Sequence, residues 1–193
     1  PDQLPSNGSK ISSDLIESYP MDFTEIGSCK GQLRPWAVEF HEGMGYVGVV
    51  CDATDSGSAA DLKAYILRFD PEEMNALEND FDIVCEFPLD YERENKFASS
   101  QQWHAWTVKD WPHPITDTRQ EDYYAQPILS DIEFDGQGRI VISLMDRFGM
   151  QSSRENMAAN ISDQTPTFIG DAAGDVLLAC PKGDGTFEVE GQG

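Results

Sequence analysis

Asp131, Glu133, Asp135 and Gly136 follow one another as Asp-x-Glu-x-Asp-Gly, the most suggestive chemistry in the chain. Oxygen ligands at alternate positions ahead of a glycine turn are how a Ca²⁺ loop begins. An EF-hand would need a Glu six residues after that glycine, and Ile142 stands there. The alternation instead places Asp131 and Glu133 on one face of a strand. They read either as a solvated, surface-facing acidic pair or as part of a Ca²⁺ site between blades that would use Asp131, Glu133 or Asp146. Asp171 and Asp175, which flank Ala-Ala-Gly, are a further candidate pair of oxygen ligands.

Nothing else in the chain carries a catalytic signature. It contains no GxSxG, HExxH, phosphate-binding loop or GxGxxG. His41, His104 and His113 are not spaced as a metal-ligand pair.

These residues sit on a strand pattern. In Pro127 to Phe148, Ile128, Ser130, Ile132 and Phe134 alternate with Leu129, Asp131, Glu133 and Asp135, the period of two of a β-strand. Asp135-Gly136-Gln137-Gly138 breaks the run as a turn, and Arg139 to Met145 returns. Val38 to Asp52 aligns without gaps on Ile132 to Asp146: apolar-Glu-Phe, a glycine turn, an apolar strand, then Asp. A repeated hairpin signals repeat architecture. Asp52 and Asp146 occupy equivalent strand ends, where each would cap the next turn; Asp146 would also pair with Arg147 or Arg139.

Two further strands follow each hairpin: Asp61 to Asp70 and Phe81 to Asp90 after the first, Gly174 to Cys180 and Thr186 to Glu190 after the second. The expected fold is all-β, with two four-stranded antiparallel units of the β-propeller blade type. Residues 1–33 form a leading loop, 34–90 the first blade, 91–126 an insertion and 127–193 the second blade. Two blades do not close a ring, so further blades are expected on absent sequence or a neighbouring subunit. The start at Pro1 fits a processed product or a piece of a longer chain.

The insertion holds Trp103, Trp106, Trp111, Tyr123 and Tyr124. A loop this long either folds down on the sheets with its own small core or presents an aromatic platform to protein or glycan. Cys29 precedes the first hairpin and Cys51 ends it, which favours their pairing over four reduced cysteines. Asp and Glu number 35 against 13 Lys and Arg, for a net charge of −22. That balance disfavours nucleic acid and anionic membrane surfaces as partners. No apolar run approaches the ~20 residues of a membrane span.

Arg34-Pro-Trp-Ala-Val, Tyr46-Val-Gly-Val-Val-Cys-Asp, Asp61-Leu-Lys-Ala-Tyr, Phe87-Pro-Leu-Asp-Tyr, Tyr124-Ala-Gln-Pro-Ile-Leu-Ser-Asp-Ile-Glu-Phe-Asp, Asp146-Arg-Phe-Gly and Gly174-Asp-Val-Leu carry a resemblance. The chain, from about Arg34 to its end, resembles the propeller-like region of large bacterial secreted and cell-surface proteins, which often also carry SdrD-type B repeats. The repeats themselves are absent here. The resemblance implies a secreted, multi-domain surface protein with further blades, and no catalytic residue. The expected role is a non-enzymatic structural or adhesion module at the cell surface, with protein or glycan partners. The rivals are a Ca²⁺-dependent propeller hydrolase, whose acidic and His side chains would converge on one ion, and a structural subunit of a filament or surface layer.

Overall fold

In a computed structural model, the structure describes residues 21, 23, 26–73, 81–93, 102–107, 120–122, 124–152, 154–156, 168–170, 172 and 174–190. Trp111, His113, Tyr123 and Asp171 lie outside them. The first sheet comprises β1 (Leu33–His41), β2 (Met44–Cys51), β3 (Lys63–Phe69) and β4 (Asp82–Pro88). After β5 (Gln120–Asp122) come β6 (Pro127–Phe134), β7 (Ile140–Asp146), helix α1 (Arg147–Ser152), β8 (Arg154–Asn156), β9 (Phe168–Gly170), β10 (Asp175–Pro181) and β11 (Phe187–Val189). The large sheets run β1-β2-β3-β4 and β11-β10-β7-β6, both antiparallel, while β5-β9-β8 form a small third sheet. The molecule is mostly β, and the two expected four-stranded units are present. The connection between β7 and β10 holds α1, β8 and β9.

The two large sheets pack face to face, with β1 against β6 and β4 against β11. Their shared core takes Ala37, Tyr46, Val50, Ala64, Ile66 and Phe87 from the first sheet and Leu129, Ile132, Ile140, Ile142, Leu144 and Ala179 from the second. Burying this apolar surface is the main drive for the two sheets to associate. The closest approach is at Gly48, where a Cβ would stand 2.4 Å from Leu129 Cδ2. Only a residue without a side chain lets β2 come so near β6.

Strict alternation fails at two bulges. The pairing of β6 with β7 slips between Leu129 and Asp131, so Leu129 joins Ile132 in the core while Ile128 turns to the opposite face beside Met145. The pairing of β1 with β2 slips between Pro35 and Ala37. The gapless repeat alignment is also displaced in the first strand of each hairpin. Ile132 is fully buried, whereas its aligned partner Val38 is 57% exposed and Ala37 is buried instead. The turns cause the slip. His41 pairs with Met44 across a two-residue turn in which Glu42 (φ 50°) and Gly43 (φ 85°) are both left-handed. Phe134 pairs with Ile140 across a longer loop built on Asp135, whose carboxylate accepts hydrogen bonds from Gln137 N, Arg139 N and Arg139 Nε. A one-residue slip exchanges the two faces of a strand.

The outer face of the first sheet is covered from its own leading segment. Met21, Phe23, Ile26 and Cys29 pack on Val47, Val49, Cys51, Tyr65, Leu67 and Phe81. A disulfide joins Cys29 to Cys51, pinning this cover to β2. Cys85 is a buried thiol, pushed up to about 11 by burial, and Cys180 is a partly exposed one.

Two outcomes test this packing. Gly48→Ala should cost about 1–3 kcal/mol by overpacking, and that cost should largely vanish in a Leu129→Ala background; additive losses in urea denaturation would place the two sheets further apart. Cys29→Ser should lower stability by about 2–4 kcal/mol, and dithiothreitol should shift the midpoint of the parent chain but not that of the variant.

Candidate functional site

Two buried aspartates end the central strands of the two hairpins, and their hydrogen bonds repeat. Asp52 Oδ1 accepts from Gln32 N at 2.8 Å and Thr54 N at 3.0 Å. Asp146 Oδ1 accepts from Gln126 N at 3.0 Å and Phe148 N at 2.9 Å. Each carboxylate thus holds the strand entering its hairpin and caps the turn leaving it; for Asp146 that turn opens α1. Asp52 carries further bonds. Its Oδ2 accepts from Arg34 Nε at 2.7 Å, and Thr54 Oγ1 also donates to Oδ1. Burial alone would raise its pKa, but the donations from Thr54, Gln32 and Arg34 hold it below the usual carboxylate value. Gly31 is required here, since a Cβ would meet Asp52 Oδ1 and the Ala53 and Thr54 amides.

Trp106 ties the two strand ends together. Its backbone N–H donates to Asp52 O at 2.9 Å and its Nε1 to Pro127 O at 2.8 Å. The Arg34 guanidinium lies 5.1 Å from the centroid of its ring and that of Arg147 lies 4.7 Å away. Arg147 Nη1 donates to Gln126 Oε1, and burial together with the nearby Arg34 charge lowers its pKa. Beside this pair opens an apolar groove of about 230 Å³, lined by Trp36, Trp106, Ile128, Met145, Arg147 and Met150.

A second cluster forms around Arg93 and Tyr91. Arg93, 3% exposed, stacks 3.7 Å from the centroid of the Trp103 ring. Tyr91 OH donates to Asp175 Oδ2 at 2.8 Å and accepts from Trp103 Nε1 at 3.4 Å. Burial and the neighbouring Asp175 carboxylate push the Tyr91 hydroxyl well above its ordinary pKa. Asp146 and Asp175 both act electrostatically on Arg93, so a guanidinium stands among these acids.

The sequence candidates separate accordingly. Asp131 and Glu133 are exposed on the outer face of β6, Asp146 caps α1 and Asp175 holds Tyr91. Among the described residues no group of three or more His, Cys, Asp or Glu could hold a metal ion. Arg139 pairs with Asp135, not Asp146, because the turn brings it back over that carboxylate. Trp103 is a core residue, Trp106 lines the groove, and Tyr124 stacks on His104 at 4.2 Å. His41 stacks on Phe134 at 4.0 Å. Arg34, Trp36, Gln126 and Arg147 were missed as site residues. The signal available for Gln126 was its Gln32 counterpart, each standing the same distance before its aspartate.

No family model matches the chain, and no solved structure matches it. A curated relative is Colossin-A of Dictyostelium discoideum, 31% identical over 127 residues, which are 62% of this chain. The chain spans about 1% of the length of that relative. Among the described residues no helix is long and apolar enough to cross a membrane.

Because the folded Asp52 carboxyl titrates below its unfolded value, it stabilises the fold above about pH 4, and this contribution is lost as pH falls through the folded value. Asp52→Asn should therefore cost about 2 kcal/mol at pH 7 and flatten the stability loss below pH 4. Parallel denaturation curves of the two chains at each pH would refute the role given to this carboxylate.

Proposed function

We propose that the chain is a non-enzymatic structural or adhesion module of an extracellular or cell-surface protein, built as two adjacent blades of a propeller-type array. The observation that carries this reading is the stacking of two four-stranded meanders in the same sense, first strand on first and last on last, each hairpin closed by a buried aspartate that accepts the same pair of backbone hydrogen bonds. Neighbouring propeller blades are related in this way.

Further support comes from the chemistry of the polar groups. The buried Asp52 and Asp146 are engaged by backbone amides and Arg34, the half-buried Asp175 by Tyr91, and His41 and His104 stack on aromatic rings. That arrangement fits a scaffold better than a hydrolase, which needs acid and His side chains aimed at one reacting centre. The Cys29–Cys51 disulfide suits an oxidising compartment. The resemblance to bacterial surface proteins points the same way, and protein or glycan partners would meet the surface that the scaffold presents.

Intact mass and size of the natural protein test the blade reading. A covalent chain far above 21.5 kDa, with further hairpins ending in such an aspartate, is expected. A natural monomer of 21.5 kDa would overturn the array.

A further inference from the structure

The apolar groove does not end at its own walls. Trp36 lines it and is 64% exposed, and Val38 and Phe40 continue along the same strand at 57% and 60% exposure. Among the described residues β1 is the edge of its sheet, so these three side chains form a row on a strand margin. Alternate exposed apolar residues on an edge strand match the side-chain repeat of a second extended strand laid alongside.

Charge selects the kind of strand. The groove contains Arg147, and Arg34 lies over the same Trp106 ring. Asp52 ion-pairs with Arg34, whereas Arg147 makes no ion pair among the described residues and bonds to the neutral Gln126 amide. Among the described residues two guanidinium groups share this spot with one carboxylate, that of Asp52, in a chain of net charge −22, and the spot sits at one end of an apolar row. Its volume of about 230 Å³ falls below the ~300–1,000 Å³ of small-molecule sites, whereas one or two side chains of a peptide would fill it.

We infer that the β1 margin and the groove together receive an extended acidic peptide segment of a partner protein, its apolar side chains on Trp36, Val38 and Phe40 and its carboxylate on the Arg147 guanidinium. A carboxylate there would gain charge-assisted hydrogen bonds in a half-dry site and offset the repulsion between the two guanidinium groups. The inference deepens the adhesive reading and rests on it for the protein nature of the partner. It requires neither a closed ring nor further blades.

The test uses the full chain and two labelled synthetic octapeptides. Both alternate valine or phenylalanine with threonine; one carries a glutamate at the end that reaches Arg147, the other a glutamine. Fluorescence anisotropy is expected to show the glutamate peptide binding about tenfold more tightly, with the gap narrowing as salt rises. Trp36→Ala, at an exposed position, should weaken both peptides at unchanged melting temperature, and Arg147→Gln should abolish the preference for glutamate. Equal affinity of the two peptides, or no binding at millimolar concentration, would overturn the inference. So would light scattering that shows the chain itself dimerising through the Trp36 margin. Because only the peptide differs in the main comparison, misfolding of a variant cannot mimic the result, and failure here leaves the mass test of the blade reading untouched.

Discussion

The end of the first hairpin depends on one buried negative charge. An ionised carboxylate out of water costs several kcal/mol unless donors surround it, and Asp52 is surrounded by the Gln32 and Thr54 amides, the Thr54 hydroxyl and the Arg34 guanidinium. Those donors come from the start of the hairpin's first strand and from the turn after its second. The same residue's carbonyl then receives Trp106, whose indole reaches the first residue of the second sheet. Local chain direction, the joint between the sheets and the wall of the groove therefore converge on a single residue.

The parts of the fold legible in sequence were those written as period and punctuation. Eight strands of the two large sheets follow from alternation between glycine or proline turns, and the Cys29–Cys51 pair follows from its position around a hairpin. What alternation cannot express is a bulge. At Ser130 one extra residue returns Leu129 to the buried face, and around Trp36 another leaves a tryptophan in solvent. The repeat was visible as identity of residues, yet the turn lengths differ, so matched letters in the first strands point opposite ways.

The site was less legible for a related reason. Its members come from β1, the aromatic insertion, β6, β7 and α1, and no window of sequence holds them together. Acidic clusters drew the eye toward calcium, whereas the distinguishing charges are positive: Arg34, Arg93 and Arg147 all lie over tryptophan rings. In so acidic a chain each arginine is scarce, and these three are held on flat aromatic faces that a lysine would fit less well.

The cover over the first sheet also gives the stack a direction. Residues of the leading segment occupy the outer face of β2 and β3, held there covalently through Cys29. A third sheet approaching from that side would find the seat taken, whereas the far side of the second sheet leaves Val176 66% exposed. The pair of sheets is in this sense a bookend, shut on one side by its own leading segment and open around Val176 on the other, and the sulfur bridge is the one covalent stitch in that cover among the described residues.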